Sequence, residues 1–71
     1  MYRHYRHKRD PLRFLYHVEG RRLSDPSPEY ASIHNWEKIE EFESIENIPE
    51  DLRKSLLLDG YLIYSKARGP D

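Results

Sequence analysis

Apolar and polar residues alternate along residues 12–18, which is the pattern of a β-strand with one buried face. The apolar positions that share this face are Leu12, Phe14, Tyr16 and Val18. Glu19 and Gly20 follow directly, and glycine readily takes the positive φ that a tight two-residue turn requires. The sequence therefore predicts a β-hairpin in which residues 21–24 form a short return strand.

The middle of the chain carries apolar residues at intervals of three: Tyr30, Ile33, Trp36, Ile39, Phe42, Ile45 and Ile48. A step of three residues drifts by about −60° on an α-helix, so one straight helix cannot keep them all on one face. Trp36, Ile39 and Phe42 alone span about 120°, which is the width of an ordinary amphipathic stripe. We therefore predict a helix over residues 36–43 that Asn35 caps, followed by a turn or short extended piece over residues 44–48.

The last third of the chain has clearer local signals. Pro49 suits the first position of a helix, and the acidic Glu50 and Asp51 favour the positive end of the helix dipole. Gly60 is the residue type that commonly ends a helix. A strand over residues 61–65 should follow and pair with the hairpin.

These elements predict a small α+β fold: a β-hairpin plus a C-terminal strand, packed against two short helices. Of the 71 residues, 37% are hydrophobic and 35% are charged, so the core must be small. Residues 1–10 are too polar to join a core and are expected to form a disordered basic arm. The single domain should span residues 11–67, with residues 68–71 as a flexible tail.

Charge is distributed unevenly along the chain, although its formal net charge is only −1. Residues 1–23 carry seven basic residues against two acidic ones, a net of +5. Residues 24–52 carry one basic residue against nine acidic ones, a net of −8. Such asymmetry between segments says more about binding partners than the total charge does.

The acidic segment predicts a partner-binding surface made of five carboxylates: Glu37, Glu40, Glu41, Glu43 and Glu46. Closely spaced carboxylates resemble a row of phosphates and would fit a basic groove on a partner protein. On the predicted helix, Glu37, Glu40 and Glu41 would share the face turned away from Trp36. The alternative is that these charges only keep the protein soluble.

The basic arm mixes cations with aromatic rings, a composition that suits contacts with nucleic acid or with an acidic protein segment. The predicted contact residues are Tyr2, Arg3, Tyr5, Arg6, Lys8 and Arg9. Two simpler alternatives are a solvated basic tail and an arm that folds back onto the acidic segment. No known nucleic-acid-binding motif accompanies the arm.

Other kinds of site find little support in the sequence. The chain has no cysteine, and the histidine pair His4 and His7 lies on a segment without preorganised geometry, so no metal site is expected. No nucleophile motif or glycine-rich phosphate loop is present, so we expect neither catalysis nor a cofactor. The absence of cysteine and of a long apolar stretch favours the cytoplasm, or the host cytoplasm for a phage-encoded protein.

The leading hypothesis is therefore a small, monomeric, non-catalytic regulatory protein that binds a larger protein machine through the acidic surface and the basic arm. Size and composition are typical of phage-type regulators, so modulation of host RNA polymerase and transcription is the concrete guess. One alternative is a nucleic-acid-binding accessory protein that acts through the arm. Another is an assembly protein that self-associates through a sheet edge.

Overall fold

The structure, a computed structural model, describes residues 1–66 and contains one four-stranded antiparallel sheet. The elements are, in chain order, β1 (Tyr2–His7), β2 (Arg13–Val18), α1 (Pro28–Ala31), β3 (Trp36–Phe42), α2 (Glu50–Asp59) and β4 (Tyr61–Ser65). Short 3-10 turns lie at Ile33–Asn35 and Ile45–Asn47. The strand order is β3-β1-β2-β4. The predicted α+β class is confirmed, and the predicted tail at residues 68–71 lies outside the described residues.

The prediction of a disordered N-terminal arm is wrong. Residues 2–7 form β1, which lies in the interior of the sheet and pairs with β2 on one side and β3 on the other. Strand alternation sends Tyr2, His4 and Arg6 to one face of the sheet. Tyr5 and His7 point to the other face, where both are buried. The absence of aliphatic residues concealed this strand, because its buried side chains are aromatic rings and imidazoles.

The predicted helix over residues 36–43 is also wrong, since residues 36–42 form the edge strand β3. A β-bulge explains the misleading period of three. The register shifts between His4 and Tyr5, so that Ile39 is an extra residue with no partner on β1. Trp36, before the bulge, packs on one face of the sheet, and Phe42, after it, packs on the other.

The strand predicted over residues 12–18 is confirmed as β2, but the predicted return strand over residues 21–24 is wrong. The hairpin partner of β2 is β1, which precedes it. The predicted turn after β2 does exist, and Gly20 there has φ +84°. It leads into an irregular segment that crosses one face of the sheet. Leu23 and Tyr30 from this crossing pack against the buried Leu15.

The predicted C-terminal helix and strand are confirmed as α2 and β4. The helix begins one residue after Pro49 and ends at Gly60, whose backbone is left-handed with φ +81°. The Gly60 N–H donates to the Leu56 carbonyl at 2.7 Å. A Cβ at Gly60 would lie 2.6 Å from the Cβ of Arg21, so both conformation and space require glycine here.

The sheet has an apolar cluster on each face. On one face, Leu15, Tyr5 and Trp36 are covered by the crossing segment. On the other, α2 and the connection before it cover Tyr16 with the buried Ile48 and Leu56. A central strand therefore contributes to both clusters, and losing one buried ring from β1 should weaken the whole domain.

Replacing Tyr5 with alanine tests the buried position of β1. Tyr5 is only 7% exposed, so Tyr5→Ala should lower the free energy of unfolding by about 3 kcal/mol or more. That loss is comparable to the whole stability of a domain this small, so Tyr5→Ala should be largely unfolded at 25 °C. Urea unfolding followed by circular dichroism measures it.

The matched control is Tyr2→Ala, which makes the same chemical change in the same strand at a half-buried site. It should cost about 1 kcal/mol. A Tyr5→Ala variant as stable as the unsubstituted protein would show that β1 does not form part of the sheet.

His7 makes a second, independent test of β1. Its buried Nδ1 accepts hydrogen bonds from the N–H groups of Arg9 (3.2 Å) and Asp10 (3.1 Å), and so caps the β1–β2 turn. Its ring meets Trp36 edge-on with centroids 4.8 Å apart. His7→Ala should cost about 2–4 kcal/mol, because it leaves a cavity and unpaired N–H groups. Unfolding followed by the fluorescence of the single tryptophan should show this loss, whereas His34→Ala at an exposed site should change stability little.

Candidate functional site

The two segments predicted to bind partners are bound to each other. β1 carries the basic segment and β3 most of the acidic one, and they are neighbouring antiparallel strands. Three cross-strand pairs place a basic or imidazole side chain opposite a carboxylate: Arg3 with Glu41, His4 with Glu40 and Arg6 with Glu37. The alternative in which the basic segment folds back onto the acidic one therefore describes the structure.

The distances show how these pairs are made. Arg6 Nη2 lies 3.5 Å from a Glu37 carboxylate oxygen, and Arg3 Nε lies 3.9 Å from Glu41. Arg3 also donates through Nη2 to Glu19 at 3.2 Å, beyond the end of β2. Solvated ion pairs are individually weak. Their main effect is to favour this strand register, in which opposite charges face each other.

Glu41 receives a further cation from its own strand. Lys38 Nζ donates to the Glu41 carboxylate at 2.8 Å. This hydrogen bond, with the charges of Lys38 and Arg3, holds the pKa of Glu41 below its ordinary value of 4.5. Much of the negative charge on β3 is therefore compensated within the protein.

Four polar or aromatic side chains form a row across the helix-covered face, one from each strand: Glu40, His4, Tyr16 and Tyr64. His4 Nδ1 lies 3.2 Å from the Glu40 carboxylate, and His4 Nε2 lies 2.7 Å from the Tyr64 hydroxyl. Since an ionised carboxylate only accepts, His4 donates to Glu40, and the role of its Nε2 toward the Tyr64 hydroxyl depends on the protonation state of the ring. The imidazole also stacks on Tyr16 with ring centroids 4.2 Å apart.

This row resembles a carboxylate–imidazole–hydroxyl relay, but its hydroxyl is not activated. Burial raises the pKa of Tyr64 well above its ordinary value of 10.0, and the neighbouring Tyr16 raises it further. A nucleophile requires the opposite shift. The row therefore links the edge strands β3 and β4 across the sheet, and we assign it a structural role.

The tyrosines predicted to stack on bases have partners inside the protein. Tyr5 lies in the cluster with Leu15 and Trp36, and Tyr2 stacks on Phe42 with ring centroids 6.3 Å apart. Lys8 and Arg9 remain exposed in the β1–β2 turn and form no ion pair with any described residue. Removing residues 1–9 would delete a central strand.

Of the five predicted acidic contacts, only Glu43 and Glu46 have carboxylates that pair with no basic or imidazole side chain among the described residues. They lie between β3 and α2, and the first turn of α2 adds Glu50 and Asp51. All four are exposed, and none forms an ion pair within residues 1–66. We call these four residues the acidic connection.

Arg53 fixes the backbone of the acidic connection. Its guanidinium donates to three carbonyl oxygens, those of Ile45 (3.1 Å), Glu46 (3.1 Å) and Ile48 (2.9 Å). Ser44 Oγ also accepts from the Glu46 N–H at 3.2 Å. The carboxylates therefore project from an ordered backbone. Sequence analysis missed Arg53, because nothing in the local pattern of a helix shows that its side chain turns back onto the preceding turn.

Other site types are not found in the described part of the chain. No three histidine, aspartate or glutamate side chains within residues 1–66 come together as a metal site requires, and no pocket opens among them. None of the helices described is long and apolar enough to cross a membrane.

Comparison with known proteins supplies no family for this chain. It matches no protein-family model, and comparison with curated proteins and with solved structures gave no significant match.

The row across the sheet predicts alkaline sensitivity. Because folding raises the pKa of Tyr64, the neutral phenol is favoured in the folded state. The resulting stability is fully present below pH 10 and declines as the pH rises above it. Tyr64→Phe should cost about 1 kcal/mol at neutral pH through the lost bond to His4, and should flatten the decline above pH 10.

Urea midpoints measured from pH 7 to pH 11 test this prediction. Tyr61 keeps part of the alkaline decline in the variant, because burial and the nearby Asp25 also raise its pKa. Tyr2→Phe is the control and should leave the pH profile unchanged. An equally steep decline in Tyr64→Phe and the unsubstituted protein would contradict the assignment.

Proposed function

We propose that this protein is a small non-catalytic regulatory protein that docks on a larger protein machine through the acidic connection. The observation that carries the proposal is that the carboxylates of Glu43, Glu46, Glu50 and Asp51 form no ion pair within residues 1–66. On β3, Glu37 is already paired with Arg6, and Glu41 with Arg3 and Lys38. The negative field available to a partner is therefore concentrated on this connection.

The backbone bonds from Arg53 support the same proposal. Groups held in place before binding lose less conformational entropy when a partner arrives. A group of exposed carboxylates on an ordered backbone would suit a basic groove of the kind that holds nucleic acid in a polymerase. RNA polymerase is the target class that we retain, with regulation of transcription as the outcome.

Removing two charges from the connection tests the proposal. Glu43→Gln/Glu46→Gln should reduce capture of purified RNA polymerase, or of the partner identified from a lysate, by about tenfold. The attraction is electrostatic, so binding of the unsubstituted protein should also weaken steeply as salt is raised. Pull-down and titration at two salt concentrations measure both effects.

Glu37→Gln/Glu41→Gln is the matched control, because it removes the same charge from carboxylates that β1 and Lys38 already compensate. It should bind with nearly unchanged affinity after its fold has been checked by thermal unfolding. Equal loss in both double variants would mean that only total charge matters. Undiminished binding by Glu43→Gln/Glu46→Gln would exclude the acidic connection as the docking site.

A further inference from the structure

The two edges of the sheet differ in how they are protected. The β3 edge carries four charged residues and a bulge, devices that prevent pairing with another strand. The β4 edge, Tyr61–Ser65, has no charged residue and no proline, and its pairing with β2 has no bulge. Only the β4 edge is therefore suited to adding another strand.

The backbone alternation of β4 determines which groups are available. Gly60 accepts from the Val18 N–H at 3.0 Å, and the Lys66 N–H donates to Leu12 at 2.8 Å, so the even-numbered residues bond to β2. In an antiparallel ladder the intervening residues direct their N–H and C=O groups to the other side. Tyr61, Ile63 and Ser65 therefore face outward, and none of their backbone groups bonds to a residue in the described part outside the sheet.

We propose that β4 pairs antiparallel with β4 of a second copy, giving a two-fold symmetric dimer with one continuous sheet. The outward-facing residues are self-complementary, because they are symmetric about Ile63. Ile63 pairs with Ile63 of the other copy, and Tyr61 pairs with Ser65. Every outward N–H and C=O of the strand then has a partner, and no extra residue is left between them.

Charge at the ends of β4 supports this register. Asp59 and Lys66 flank the uncharged strand, both are exposed, and neither forms an ion pair within residues 1–66. In the dimer, Lys66 lies opposite Gly60 of the second copy, one residue from Asp59. Opposite charges therefore meet at both ends of the paired strands, whereas the β3 edge would bring several glutamates together.

The position of α2 is compatible with this pairing. α2 packs on one face of the sheet against β4 and β2. A two-fold axis perpendicular to the sheet keeps both α2 helices on the same face of the continuous sheet, one on each side of the paired strands. Leu58 is 75% exposed and lies about 160° round α2 from the buried Leu56, so it points chiefly away from the sheet.

Removing one outward N–H tests the strand pairing. A chain of 71 residues is accessible to chemical synthesis, so Ile63 can be replaced by its backbone N-methyl analogue without changing the side chain. Sedimentation equilibrium should show a dimer for the unsubstituted protein and a monomer for this analogue. N-methylation of Glu41, whose N–H faces outward on the β3 edge, is the matched control and should leave the dimer intact.

Charge reversal tests the register. Lys66→Glu and Asp59→Lys should each raise the dimer dissociation constant about tenfold, because two attractive contacts become repulsive. The combined variant should recover the original affinity, since both charges are exchanged. Asp59→Lys should not weaken the fold, because a cation suits the C-terminal end of a helix.

Three results would overturn the proposal. A monomer at the highest soluble concentration of the unsubstituted protein excludes the dimer. A dimer that survives N-methylation of Ile63 uses a different surface. A dimer that is lost on N-methylation but does not recover in the combined charge variant pairs in a different register.

Discussion

The rest of the structure depends on the pairing of β1 with β3. β3 has no other neighbour in the sheet, and β2 would lose one of its two partners without β1. β1 is rich in arginine and histidine, yet it occupies the interior of the sheet. This is possible because β3 supplies carboxylates opposite its basic side chains, while the rings of Tyr5 and His7 supply the buried surface.

This pairing changes the meaning of the charge pattern. Two segments with net charges of opposite sign suggest that each segment binds a separate partner. In the folded protein the two segments mostly satisfy each other, through Arg3 and Arg6 on β1 and the glutamates opposite them. The part of the acidic segment beyond the end of β3 is what would remain available to the proposed partner. Summing charges along the sequence cannot identify these unpaired carboxylates. Which charges pair with each other depends on which strands become neighbours in the fold.

The elements that sequence analysis predicted correctly are those with local causes. α2 has acidic residues in its first turn and Gly60 at its end, and β4 follows at once as a short apolar run. β1 and β3 have no such signals. Their side chains are buried or paired only after residues about 30 to 40 positions apart come together, and the bulge at Ile39 gives β3 a false helical period. The candidate site was predicted only in part. Glu43 and Glu46 were named from the sequence, but Arg53 was not, because its bonds to the preceding turn exist only in the folded chain.

The acidic connection and the outer edge of β4 differ in physical character. A partner bound to one of these surfaces need not exclude a partner bound to the other. The acidic connection is charged and solvated, so the docking proposed there would be rapid and salt-sensitive. The β4 edge offers backbone hydrogen bonds and apolar side chains, so pairing there depends on close contact rather than on long-range charge. A dimer formed through β4 would carry two acidic connections, related by the two-fold axis. If a partner presented two basic surfaces at the matching separation, the second contact would become intramolecular and the overall affinity would rise without any new contact. Dimerisation would then select among basic partners that a single acidic connection cannot distinguish.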